Sequence, residues 1–268
     1  MIFFDSHCHL DLLAKKLDLN QVVINCKNNQ INRILMPGIS KNNWSEIKQI
    51  ANGYSDQTLK LDYAFGLHPY FIAEHDIQTD LTELETQLKR DKFVVAVGEI
   101  GLDNFVAKQM DNHKQQEILL IEQLKLAQAY HLPVIIHHRQ SIDKICQLIR
   151  EQKFEYGGVV HAFSGSQQQA KNLIELGFKL GIGGIITYPR ANKTRQVVKT
   201  FGCEHFLLET DAPDMPLNGR QGQVNSPEYL IEIFNQLVAL KSMPAEQLSR
   251  VLWQNTLDCF PKLKGITA

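Results

Sequence analysis

The sequence predicts an α/β protein, a (β/α)8 TIM barrel forming one domain over residues 1–268. Three observations predict it. Short apolar runs rich in Val, Ile and Phe, bounded by Gly and Pro, recur along the chain and read as buried parallel strands. Amphipathic segments of helical period lie between them. Six or more of the runs close on a polar cluster, which fits a barrel whose active site collects the carboxyl ends of all its strands. A doubly wound open sheet is the alternative, but it usually has fewer strands and a ligand at a single switch point.

The elements follow in order. IFFDSHCH, from Ile2, sets His7 and His9 two residues apart. On an extended strand both imidazoles then leave the same face, at the carboxyl end, while Cys8 points away as a packed thiol. RILMPGIS from Arg33 and DYAFGLHP from Asp62 come next, the latter bringing His68 ahead of Pro69. FVVAVGEIGLD from Phe93 carries Glu99, and PVIIHHR from Pro133 carries His137, His138 and Arg139. Adjacent strand residues face opposite ways, so only one of that histidine pair faces the site. GVVHAFSG from Gly158 carries His161, FKLGIGGI from Phe178 is the seventh run, and FLLETDAP from Phe206 ends on Glu209 and Asp211. Among the helices, residues 113–131 (HKQQEILLIEQLKLAQAYH) place Ile118, Ile121, Leu124 and Leu126 near helical spacing. SPEYLIEIFNQLVALKS from Ser226 offers a Ser N-cap with Pro at the first helical position, and SMPAEQLSRVLWQNTLDCF from Ser242 repeats that start.

Composition narrows the function classes. The length of 268 residues suits one large barrel or two modest domains, and 44% apolar residues supply a sizeable core. The formal net charge of −1 gives no global basic field, so any nucleic-acid contact must come from a local patch. The five cysteines, Cys8, Cys26, Cys146, Cys203 and Cys259, are odd in number, scattered, and without a CxxC pair, as expected of free thiols in a reducing compartment. Asp5 interrupts the first apolar run too early for a signal peptide, and no apolar stretch is long enough to span a membrane. A cytoplasmic protein without a membrane partner is expected.

The strand ends carry the chemistry. Six of the ten histidines lie there, and a barrel would converge them on one rim with Glu99 and Asp211. Imidazole with carboxylate suits Zn²⁺, Mn²⁺ or Fe²⁺, whereas Mg²⁺ prefers more oxygen. A carboxylate bridges two ions, as neutral imidazole does not, and Glu99 stands midway in strand order. The expected first ion is held by His7, His9, Glu99 and Asp211, and the second by Glu99, His137 and His161. Two ions about 4 Å apart clamp a phosphoester, acidify a bound water and stabilise the leaving oxygen. Asp211 would hold that water and take its proton. His68 either joins the site or caps a turn. Glu209 either orients a ligand histidine or serves as a structural carboxylate. His75, His113, His131 and His205 read as structural or surface residues.

DSHCHLD, GLHP, GEIGLD, PVIIHHR, VVHAFSG and LLETDAP, in that order, resemble the TatD-related deoxyribonucleases, a branch of the amidohydrolase-like metal-dependent hydrolases, over essentially the whole chain. The resemblance implies a TIM barrel, a divalent-metal centre of two ions (Zn, Mn or Mg) and cleavage of DNA, from a 3′ end on single strands. Its metal ligands fall on His7, His9, Glu99, His137, His161 and Asp211, with Glu99 and Asp211 in the catalytic roles. It also matches Arg220 and Asn225-Ser226-Pro227 to an Arg and an Asn-x-Pro that the family commonly carries, with residues 217–224 as a loop over the site. His68, Arg139, Arg220 and Asn225 are the expected substrate contacts. Further rim cations are Arg190, Lys193 and Arg195, and candidate stacking aromatics are Tyr70, Phe71, Phe105 and Tyr188. The seventh strand departs from the pattern: GIGGIITYPR lacks the Ser that relatives carry near its first glycines. The alternative with the same site is an ester or amide hydrolase such as a D-aminoacyl-tRNA deacylase. The implied partner is nucleic acid, with a monomer or weak oligomer as the working form.

Overall fold

The computed structural model describes residues 1–264. Residues 265–268, the end of the expected domain, lie outside the described residues. Eight parallel strands form one sheet in strict sequence order. They are β1 (Phe3–Asp5), β2 (Ile31–Pro37), β3 (Lys60–Phe65), β4 (Val94–Asp103), β5 (Val134–Arg139), β6 (Gly158–Val160), β7 (Phe178–Ile182) and β8 (Phe206–Leu208). A doubly wound sheet would reverse its order at a switch point, and this one does not. Between them run α1 (Leu10–Leu13), α2 (Leu19–Asn28), α3 (Lys41–Tyr54), α4 (Ile77–Arg90), α5 (Asn104–Met110), α6 (His113–Ala129), α7 (Ile142–Glu151), α8 (Gln167–Glu175) and α9 (Asn192–Thr200). Two helices, α10 (Leu230–Lys241) and α11 (Ala245–Cys259), follow β8.

The barrel closes between β1 and β8. The Ser6 N–H donates to the Leu208 carbonyl (2.9 Å) and the Asp211 N–H to the His7 carbonyl (2.9 Å). Buried Asp5 fastens the same seam, accepting from the Thr210 N–H (3.0 Å), the Thr210 hydroxyl (2.6 Å) and the His7 N–H (3.2 Å). Inside the barrel, Phe4, Leu35, Ala64, Ile135, Val159 and Leu207 pack with Phe260 and Leu263 from the end of the chain. A larger apolar layer lies between the strands and the helices.

Three helix expectations need correction. In α6, Ile118 is 53% exposed, and the buried face is Gln116, Leu119, Leu120, Gln123, Leu124 and Ala127. The two glutamines are buried because their amides dock on strand ends. Gln123 accepts from the Leu67 N–H (2.7 Å) and donates to its carbonyl (3.1 Å), while Gln116 does the same at Asp103 (2.8 and 3.3 Å). Ser226 does not cap α10. A 3-10 turn, Pro227–Tyr229, intervenes, and the Ser226 hydroxyl donates to Glu228 instead. At the second such start, Ser242 ends α10 in the left-handed conformation and α11 begins only after Pro244.

Candidate metal centre

The strand-end residues meet around Glu99. β4 is buried along its whole length, so its carboxylate emerges inside the rim. One oxygen, Oε2, lies 3.2 Å from His7 Nε2 and 3.4 Å from His9 Nε2. Those two nitrogens are 3.2 Å apart, and Asp211 Oδ1 stands 3.5 Å from the first and 3.8 Å from the second. The other oxygen, Oε1, lies 2.7 Å from His161 Nε2, 3.1 Å from His137 Nδ1 and 2.9 Å from His68 Nε2. Glu99 thus turns one oxygen to each half of the cluster.

Burial alone would push the Glu99 carboxyl up, but His161, His68, His7 and His137 around it hold it well below the usual carboxylate range. Burial and the neighbouring His161 push His7 well down, leaving a neutral ring with a lone pair to offer. His9 and His161 go the other way, to about 9 and about 10: burial opposes their charge, and the Glu99 and Asp211 carboxylates outweigh it. Burial raises Asp211, against the pull of His161 and His9. The field therefore favours positive charge between these side chains, as protons or as cations. Clustered imidazole and carboxylate donors are the set that divalent transition ions take. Three donor groups converge within 4.8 Å: His7, His9 and Asp211; His7, Glu99 and His161; His68, Glu99 and His137.

His68 differs from the other histidines. Its Nδ1 accepts the Tyr70 N–H (3.0 Å), so Nε2 carries the hydrogen and donates it to Glu99. Burial pushes this imidazole down to about 4. The Gln123 clamp on Leu67 holds the preceding backbone, and His75, read as structural, donates to the His68 carbonyl (3.0 Å).

Of the cluster, His9, His68, Glu99, His137, His161 and Asp211 line a cavity of about 620 Å³ with Leu12, Ile39, Tyr70, Phe71, Asp103, His138, Arg139, Asp214 and Met215, while His7 lies buried behind it. Arg139 lies over the Phe105 ring, 4.1 Å from its centroid, and Tyr70 is 53% exposed at the mouth. Arg220 and Asn225 do not line the cavity. The Arg220 guanidinium is taken by Glu232 (2.5 Å) and by the Tyr229 ring (3.9 Å). Asn225 is buried, and its amide donates to the carbonyls of Thr210 (2.9 Å) and Asp214 (2.8 Å), clamping the turn that carries Asp211. Tyr188 spends its hydroxyl on the Pro216 carbonyl (2.7 Å). Glu209 accepts from the Ala162 N–H (2.5 Å) and the Ser6 hydroxyl (3.5 Å), with no ring nitrogen among its bonds.

Sequence reasoning passed over Asp103. Its Oδ2 lies 3.6 Å from His137 Nε2, on the far side of the ring from Glu99. A carboxylate at that place fixes the tautomer of a ligating imidazole. The signal was present, because residues 99, 101 and 103 share one strand face.

Comparisons with known proteins show the family and the fold. The sequence model described as TatD related DNase matches residues 4–261. YjjV of Escherichia coli K12, named an uncharacterized metal-dependent hydrolase, is 41% identical over 259 residues, covering 96% of this chain and 97% of that one. A Haemophilus influenzae protein of the same description is 39% identical over 265 residues, covering 97% and 100%. The crystal structure of YjjV, described as a TatD homolog, superposes with a TM-score of 0.90 at 42% identity, covering 97% of this chain and 98% of that one.

Proposed function

This chain belongs to the TatD-related DNase family, and from that premise we propose that it is a divalent-metal-dependent phosphodiesterase that trims DNA from a 3′ end. The carrying observation is the two-sided carboxylate. Glu99 Oε2 faces His7 and His9, and Glu99 Oε1 faces His137 and His161. In this reading His7, His9, Glu99 and Asp211 hold one ion, and Glu99, His137 and His161 hold a second. Such ions, when bound, supply Lewis acidity toward a phosphoryl oxygen and its leaving group.

The chain's own groups do the rest. Asp211 faces the cavity beside His7 and accepts the proton of the attacking water at Oδ1. Arg139, over the Phe105 ring, presents a planar fork to a phosphate oxygen. Tyr70 offers an exposed ring for a base at the mouth. His68 acts on substrate through Glu99, by keeping that carboxylate turned. We take the protein to work as one domain, as a monomer or weak oligomer, in the reducing cytoplasm that five free, buried cysteines suit. No helix among the described residues is long and apolar enough to cross a membrane.

The test is hydrolysis of single-stranded DNA by chelated protein with Zn²⁺, Mn²⁺ or Mg²⁺ restored, beside His161→Ala. Release of 5′-mononucleotides that needs metal and vanishes in the variant supports the reading. If every ion leaves DNA intact while a D-aminoacyl-tRNA loses its amino acid, the ester-hydrolase alternative takes its place.

A further inference from the structure

A second cavity lies beside the metal cluster, on the same end of the barrel. It is about 520 Å³ and is lined by Ser166, Gln167, Asn192, Lys193, Arg195, Gln196 and Lys199. Ser164 lines the metal-site cavity and Ser166 lines this one. Two residues of chain span at most about 7 Å, so the two cavities meet the same short loop after β6. Asn192, Arg195, Gln196 and Lys199 are spaced three and four apart, so they share one face of α9. The groove therefore starts at the rim, at the first residue of α8, and follows one face of α9.

Its charge is one-sided. Three cations line it and no carboxylate does. Among the described residues, neither Lys193, Arg195 nor Lys199 forms an ion pair, whereas Lys15, Lys27, Lys41, Lys48 and Lys144 do. Arg195 is anchored by donating to the Ile186 carbonyl (2.5 Å), which keeps the rest of its fork at the groove. Ser166 and Gln169 already cap the start of α8 with reciprocal bonds, so the cations carry the argument rather than that helix end. A chain with a net charge of −1 has concentrated unpaired positive charge on one side of its catalytic mouth.

We propose that this groove holds the sugar–phosphate backbone of the nucleic-acid strand upstream of the bond being cut. The inference rests on the nuclease reading above and deepens it. Two or three phosphates against Lys193, Arg195 and Lys199 would let a long strand stay bound between successive cuts, while a dinucleotide reaches only the metal-site cavity. Sugar and base contacts are not needed, so the groove binds without regard to sequence.

The test measures binding of fluorescein-labelled (dT)20 by anisotropy in chelator, where no cutting occurs, across a salt series. Lys193→Ala/Lys199→Ala is compared with wild type and with Lys60→Ala/Lys92→Ala, which removes the same charge near the amino ends of β3 and β4. The groove variant should bind at least about ten-fold more weakly. The slope of log affinity against log salt should fall by about 1.4, since each single-strand phosphate contact contributes about 0.7. The control pair should bind as wild type does. In turnover, the loss should grow with strand length, from a dinucleotide to a 20-mer. Equal affinity and slope in wild type and groove variant would overturn the groove while leaving the nuclease reading intact. Competition by polyglutamate as effective as that by DNA would also overturn it, marking a general polyanion patch. Groove-dependent binding by a protein that cuts no phosphodiester would sink the nuclease reading and leave the groove standing.

Discussion

His68 Nε2 lies 2.9 Å from Glu99 Oε1, the oxygen that also faces His137 Nδ1 at 3.1 Å and His161 Nε2 at 2.7 Å. With its Nδ1 taken by the Tyr70 N–H, His68 contributes a hydrogen to this oxygen where the other two rings turn nitrogens toward it. Its part is to hold the carboxylate in the orientation that serves both halves of the cluster.

Removing that donor should loosen metal binding without unfolding the barrel. His68→Ala is expected to weaken divalent-ion affinity by about 10–100-fold, the usual effect of losing a partner of a ligand. His68→Gln returns an N–H to the same region and should recover part of the loss. Calorimetric titration of Zn²⁺ or Mn²⁺ into the chelated variants decides it. Equal affinities for wild type and His68→Ala would show that Glu99 needs no such support.

Asn225 should matter through the turn it clamps and not through substrate. Asn225→Ala leaves the Thr210 and Asp214 carbonyls without their donor and is expected to cost about 1–3 kcal/mol of stability. Asn225→Asp should be worse, since it turns a carboxylate oxygen toward carbonyl oxygens. Denaturant unfolding gives the order. An Asn225→Ala protein of full stability whose only defect is a raised KM would restore the substrate contact expected from the sequence.

The cluster itself was legible because strand geometry is simple. A barrel brings the ends of β1, β4, β5, β6 and β8 to one rim, although His7 and His9 lie past the end of β1 at Asp5, where strand period two no longer holds. What stayed hidden were groups whose role depends on which neighbour they meet. Gln116 and Gln123 look like solvent-facing positions of an amphipathic helix, yet they are the buried face, because strand-end amides at Asp103 and Leu67 need partners there. Arg220 looked free for phosphate, but Glu232 in the first turn of α10 takes it. Periodicity reports which face a residue is on, and it is silent about the polar group waiting opposite.

Asp91 gives a pH dependence remote from the cluster. Burial would raise its carboxyl, but the Lys48 ammonium (2.8 Å), the Phe93 N–H (3.0 Å) and the Tyr63 hydroxyl (3.0 Å) hold it below its ordinary value. A carboxyl depressed in the folded state contributes stability that is complete above its unfolded pKa, about 3.9, and lost as pH falls through the folded value. Asp91→Asn should therefore be less stable than wild type near neutrality, with the gap closing as pH drops below about 4. Urea unfolding of both proteins from neutral to acid pH measures the gap. A gap that stays constant with pH would mean the carboxylate charge plays no part.

Gly101 sets how closely β4 and β5 approach at the cluster. It pairs with His137 in the sheet and has φ of +148°, a conformation that side chains rarely adopt. A Cβ built there would stand 2.0 Å from the His137 carbonyl oxygen, so the strands would have to part. Separation at this point carries His137 away from Glu99, and with it one donor of the second half of the cluster. Gly101→Ala should lose more than about 2 kcal/mol from strain and overpacking together. For a chain of this size that lowers Tm by about 5 °C or more. It should also lower the number of divalent ions retained per chain, read by elemental analysis after gel filtration. Loss of Tm with full metal content would confine the role of Gly101 to packing, and an unchanged Tm would show that the two strands have room to spare.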